Sequence, residues 1–161
     1  MWVPVPLDTV WDLYSRPLNL AQLTPQRLDA RVEGPDTIFE DCTVIITSKI
    51  LGVRQRWVSK IHDVAATGPA RRFTDVQASG PFASWKHDHL FEAGTKDFDG
   101  KRSEKHITLT EGGTWIRDRV EYRMPMGLLG GIAHKVFARA QLAELFAFRQ
   151  QKTRELLGCA F

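Results

Sequence analysis

Four side chains in this sequence have the types and spacing for acid–base chemistry: Asp75, His87, His89 and Asp118. An imidazole titrates near neutrality, and a carboxylate behind one ring nitrogen can orient the other to take or deliver a proton. Three of the four lie in the run Phe73-Thr-Asp-Val-Gln-Ala-Ser-Gly-Pro-Phe-Ala-Ser-Trp-Lys-His-Asp-His-Leu-Phe91, which reads as two strands around a Ser-Gly-Pro turn. Strand side chains alternate between faces, so Phe73, Asp75 and Gln77 share one surface, and Trp85, His87, His89 and Phe91 share another. Lys86 and Asp88 point the opposite way. Aromatic and imidazole groups turned inward, with Lys and Asp outward, predict the wall of a cavity.

Each element of that reading has a plainer alternative. Buried carboxylates need hydrogen-bonded or cationic partners, so the same Asp and His residues can form a self-satisfied network that fixes sheet register. No nucleophile or oxyanion device accompanies them, which favours the network. His87-x-His89 puts two ring nitrogens on one side of a strand, with Asp75 as a third donor, as in some zinc sites. No cysteine and no further inward histidine completes a set, so no metal and no cofactor is expected. Trp57, Trp85, Phe91, Tyr122, Phe137 and Phe146 can line a pocket or simply pack a core. The sequence has no Gly-rich phosphate loop, no Gly-x-Ser-x-Gly elbow and no zinc-protease helix.

The elements that must position these residues follow from periodicity. Pro6–Ser15 reads as a helix with Leu7, Val10, Trp11 and Tyr14 on its apolar face, and Leu18–Leu23 as a second short helix ended by Thr24-Pro25. Leu28–Glu33 and Thr37–Leu51 read as a hairpin around Gly34-Pro35-Asp36. Val53–Asp63 places Val53, Gln55, Trp57, Ser59 and Ile61 on one face. Thr114–Tyr122 aligns Thr114, Ile116, Asp118, Val120 and Tyr122, with Trp115, Arg117, Arg119 and Glu121 opposite. Residues 94–110 are polar and read as a hairpin extension or loop. From Gly127 the pattern is helical: Leu129, Ile132, Val136, Ala140, Ala143 and Phe146 or Ala147 form a stripe, widened by Leu142, Leu145 and Phe148. Arg149–Leu157 is expected to continue as an exposed end. Met124–Gly131 is expected to border a portal.

Two short helices, about six strands and a long carboxyl-terminal helix make an α+β layout, with the helix covering one face of a curved antiparallel sheet. One helix cannot fill a strongly curved sheet, and the space left over is where a ligand would go. The 161 residues fit a single domain, 1–161, able to bury its own core. A net charge of +3 with scattered basic residues argues against nucleic acid. Cys42 and Cys159 imply neither a metal motif nor a disulfide framework. The start, Met-Trp-Val-Pro-Val-Pro, lacks a signal-peptide pattern, and no stretch is apolar enough for stable membrane insertion, so a cytoplasmic location is expected.

Several motifs together resemble the SRPBCC superfamily, the START-like, pollen-allergen-like (Bet v 1-like) and polyketide-cyclase-like helix-grip proteins. They are Pro6-x4-Trp11 with Asn19-Leu20-x2-Leu23-Thr24-Pro25, and Trp57-x3-Ile61. The central signature runs from Phe73-x-Asp75-x-Gln77 through Gly80-Pro81-Phe82 to Trp85-x-His87-x-His89-x-Phe91. Thr114-x-Ile116-x-Asp118-x-Val120-x-Tyr122 and Phe146-x2-Arg149 are similar to the closing strand and helix. The resemblance implies a helix-grip fold and the binding or transport of a hydrophobic small molecule between sheet and terminal helix. Trp57, Asp75, Gln77, Trp85, His87, His89, Phe91, Ile116, Asp118, Tyr122, Phe137 and Phe146 would be the ligand-contacting set. A cyclase or dehydratase using His87 or His89 with Asp75 or Asp118 is the alternative. The family usually opens with a full strand, whereas about five residues precede Pro6 here. The strand is therefore short or the start lies downstream of the true one, leaving a sheet edge that could pair in a homodimer. Segment 94–110 looks like an insertion.

Overall fold

The computed structural model describes residues 1–50, 52–95, 112–125 and 131–159, with backbone alone for 50 and 131–137. Its strands are β1 Trp2–Val3, β2 Arg31–Glu33, β3 Thr43–Ile50, β4 Val53–Ala65, β5 Ala70–Ser79, β6 Ser84–Gly94 and β7 Gly113–Arg123. The described residues also form two α-helices, α1 Leu7–Ser15 and α2 Gly131–Leu156, and two short 3-10 turns, Pro17–Ala21 and Gln26–Leu28. The strands form one antiparallel sheet in the order β1-β7-β6-β5-β4-β3-β2. The edge strand β1 is only two residues long, with Trp2 opposite Trp115 and Val3 opposite Thr114. A β-carbon at Gly113 would fall 2.1 Å from the Val3 carbonyl oxygen, so β1 can seat only because that position is glycine.

Curvature has a local cause. The pairing of β4 with β5 slips between Val58 and Ser59 and again between His62 and Ala65. Asp63 takes φ 54° inside the second irregularity. Such bulges bend a strand and strengthen its twist. The amides of Asp63 and Val64 are capped by the Glu40 carboxylate at 3.1 and 2.9 Å. The core gathers where α1 crosses the sheet. Trp11 meets Phe73 and Phe91 edge-on at 6.1 and 5.8 Å, among buried Val3, Val10, Ile61 and Ile116.

Several boundaries differ from those periodicity predicts. Strand β3 starts at Thr43 rather than Thr37: Asp41 is left-handed at φ 64°, and its amide bonds to the Ile61 carbonyl at 2.8 Å. The preceding Ile38 is buried, its amide bonded to the Ser15 carbonyl, so it packs without any strand period. Leu28 ends a 3-10 turn that Asp29 closes at φ 44°, and the second expected helix is also a 3-10 turn. On α2 the inward face is not the alanine stripe. Ala140, Ala143 and Ala147 are exposed, while Arg149 and Thr153 are buried, so the end expected to be exposed is partly inward. Larger side chains remove more apolar area than alanine, so Leu142, Leu145 and Phe146 decide the rotation of the helix. Residues 96–110 of the expected insertion, residues 126–130 of the expected portal, and the Leu129 position lie outside the described residues.

Candidate functional site

Register across three strands assembles the polar cluster. Asp75 on β5 lies opposite His87 on β6, and His89 lies opposite Asp118 on β7. The strand phase is as the alternation predicts: Trp85, His87 and His89 are buried, and Lys86 is exposed. Asp88 instead accepts from the buried Thr74 hydroxyl at 2.8 Å on the other face.

All four imidazole nitrogens face the two carboxylates. His87 Nε2 is 2.9 Å from Asp118 Oδ1, and His87 Nδ1 is 3.5 Å from Asp75 Oδ2. His89 Nδ1 is 3.2 Å from Asp118 Oδ1, although too poorly aligned for a hydrogen bond, and His89 Nε2 is 3.9 Å from Asp75 Oδ2. The two rings lie 3.7 Å apart, and Phe73 stacks on His89 at 4.1 Å. Asp75 Oδ1 also accepts from Ser59 Oγ at 3.2 Å and from Trp85 Nε1 at 3.1 Å. The arrangement is closed and tight toward Asp118, and looser toward Asp75.

Protonation follows from this geometry. Burial alone would raise both carboxylates, but the two imidazoles outweigh it and hold Asp75 and Asp118 well below the usual carboxylate range. Burial alone would lower His89, yet Asp118 and Asp75 together raise it above the ordinary imidazole value. Burial pushes Tyr14 up to about 12, and its hydroxyl is 2.8 Å from Thr153 Oγ1. Asp75, His87 and His89 offer ligand atoms within 4.8 Å of one another, so they could hold a metal ion; Glu40, Asp41 and His62 do so at the surface. In the buried set those atoms already face one another, at 3.5 Å from His87 Nδ1 and 3.9 Å from His89 Nε2 to Asp75 Oδ2.

Beside the cluster a cavity of about 210 Å³ lies between the sheet, the amino-terminal helical segment and α2. Trp57, Asp75, Trp85, His87 and His89 form part of its sheet wall, and Leu142, Leu145, Phe146 and Arg149 its α2 wall. Tyr14, Pro17, Leu20 and Leu23 close it from the amino-terminal side. Of the expected ligand-contacting set, Trp57, Asp75, Trp85, His87, His89 and Phe146 line this space.

The others do not. Phe91 and Ile116 are buried in the core under α1. Gln77 clasps the β5–β6 turn instead, donating to the Phe82 carbonyl at 2.8 Å and accepting from the Phe82 amide at 3.3 Å. A β-carbon at Gly80 would come within 2.5 Å of that Gln77 oxygen, so the turn needs both residues. Asp118 and Tyr122 line a second depression, between β7 and α2, on the far side of Leu142 and Phe146. The side chain of Phe137 lies outside the described residues.

Sequence reasoning missed the cavity roles of Ser59, Phe82, Tyr14 and Arg149. Phe146-x2-Arg149 places two residues on one helix face, and that spacing was the available signal for Arg149.

A bent, unclosed antiparallel sheet against a long terminal helix, with a cavity between them, defines a helix-grip protein. The sequence matches the family described as polyketide cyclase/dehydrase and lipid transport over residues 3–149, and the chain belongs to that SRPBCC-type family. No curated relative matches it. Among solved structures it is similar to a nucleoside-diphosphate sugar epimerase from Corynebacterium glutamicum, at 26% identity and TM-score 0.61. That match covers 98% of this chain but only 28% of the epimerase chain. A Streptomyces aromatase/cyclase gives 18% identity and TM-score 0.53, covering 99% of this chain and 95% of that one. The protein Ara h 8.0201 gives 14% identity and TM-score 0.52, covering 94% and 93%. At these last two identities the likeness is one of fold. Among the described residues no helix is long and apolar enough to cross a membrane.

Proposed function

We propose that this chain binds a hydrophobic or amphipathic small molecule in the cavity between the sheet and α2. One observation carries the reading: the cavity is walled mainly by aliphatic and aromatic side chains, while its acid–base residues are occupied with one another. A pocket of that kind recognises an apolar body by burial and orients it with a few polar groups. The family description, which includes lipid transport, agrees with it. Native mass spectrometry of the purified chain, followed by denaturation and identification of what is released, tests the reading. A retained apolar molecule is expected, displaced when Leu145→Trp fills the space. A wild type that neither retains such a molecule nor takes up decanol or decanoate rules it out.

A second reading has one specific support. The contacts of His87 and His89 with Asp75, at 3.5 and 3.9 Å, are long and lie on the cavity side. A substrate oxygen inserted there would meet an imidazole with a carboxylate behind it, the arrangement a dehydration or ring closure needs. Turnover lost in His87→Ala and His89→Ala with melting temperature retained is the expected signature. Unfolding of both variants would instead assign the imidazoles to structure.

A further inference from the structure

The charged side chains of the sheet wall face one another, and that of the helix wall faces no counter-ion among the described residues. Arg149 on α2 is 9% exposed and lines the cavity. A guanidinium is a fixed charge, and burying one without a partner is strongly unfavourable. No carboxylate of the described residues lies within ion-pair distance of it, and its Nε is buried without a hydrogen-bond partner. What it has is the Phe146 ring, 5.2 Å from Cζ. One turn further along the same face stands Thr153, fully buried and paired with Tyr14, a hydroxyl pair carrying no charge to offset the arginine. Seven of the other twelve described arginines are paired. Arg16, Arg27, Arg54, Arg71, Arg72, Arg117 and Arg119 each have an acidic partner, most of them in solvent where the pairing is worth little. The one buried arginine of the described residues, where a partner would matter most, lacks it. Trp57, whose buried Nε1 is a second donor without an acceptor, is among the residues that line the same cavity.

Beside His89 Nδ1, which faces Asp118, the unmatched groups of Arg149 and Trp57 can only donate, so a complementary ligand brings acceptor oxygens. Building on the binding reading above, we propose that Arg149 is a carboxylate subsite, and that the ligand is an amphipathic monocarboxylate with its apolar body against the aromatic and aliphatic walls. The planar guanidinium fork matches a carboxylate bidentately. One arginine balances one negative charge, and the Asp75 carboxylate on the facing wall disfavours a second. A carboxylate therefore fits better than a phosphate dianion.

The test compares decanoate with decanol, probes sharing one apolar chain, by calorimetric titration of the wild type near neutral pH. Wild type is expected to favour decanoate by about tenfold or more, the range of a charge-assisted hydrogen bond. In Arg149→Gln the ratio should fall to near one, and Arg149→Lys, which keeps the charge but not the fork, should lie between. If Arg149→Gln does not fold, the wild-type ratio and Arg149→Lys still decide. Tight binding of both probes with a wild-type ratio near one overturns the subsite and leaves the cavity reading standing. Binding of neither, with no apolar molecule retained on purification, overturns both.

Discussion

The two walls of this cavity handle buried charge in opposite ways. On the sheet side, Asp75, His87, His89 and Asp118 face one another across three strands. On the helix side, Arg149 is equally buried with an aromatic ring and no counter-ion among the described residues. Neighbouring strands are locked in register by backbone hydrogen bonds, so side chains two residues apart and directly opposite can close a network. A helix facing a hollow has no such neighbour within reach. A charge that the fold satisfies belongs to the fold, and one that it leaves unsatisfied points to something the fold is built to receive.

The largest expected effect comes from breaking the closed side. Asp118→Ala removes the shortest contact of His87 and the shorter one of His89, and leaves two buried imidazoles on Asp75 alone. A loss of about 3–5 kcal/mol in urea-unfolding free energy is expected. A loss below about 1 kcal/mol would mean that the cluster is not the structural element described.

Changing pH should sharpen the same contrast. His89 holds its proton more tightly folded than unfolded, so its contribution is complete below its ordinary value of 6.5 and is lost as pH rises through the raised folded value. Asp75 and Asp118 behave oppositely: their contribution is complete above the ordinary 3.8 and is lost as pH falls toward their depressed values. Melting temperature should therefore plateau in mildly acidic solution and fall on both sides, with the alkaline limb flattened in Asp118→Asn. An alkaline limb unchanged in that variant would detach His89 from the effect.

The smallest effect lies on the open side, and its sign is the informative part. Replacing an unpaired buried guanidinium by an apolar chain of similar length should stabilise the empty protein, so Arg149→Met is expected to gain roughly 1 kcal/mol or more. Thermal melting of protein stripped of any bound molecule measures it. A marked loss would show that Arg149 already has an adequate partner.

How far the sequence could be read depended on the kind of order involved. In the Trp85–Phe91 strand every second residue is aromatic or imidazole, and the structure follows that phase, because alternation is a property of the strand itself. The helical run beginning at Leu7 was equally legible. The strand after Glu33 was not, because left-handed Asp41 and the docking of Ile38 under Ser15 break the period through contacts distant in the chain. Gln77 looked like a cavity residue by parity and by the family motif, yet the turn takes up both ends of its amide.

The sequence by itself determined which strand residues share a face, that the chain ends in a long helix, and the SRPBCC-type motifs that this architecture bears out. Only the tertiary structure decided which inward residues line the hollow and which fill the core, sending Phe91 beneath α1 and Asp118 toward a second depression. It also decided the rotation of α2, which brings Arg149 and Thr153 inward. Local periodicity records the choice between inside and outside, but bulges and helix packing determine where a curved interior stays empty, and those depend on residues far apart in the chain.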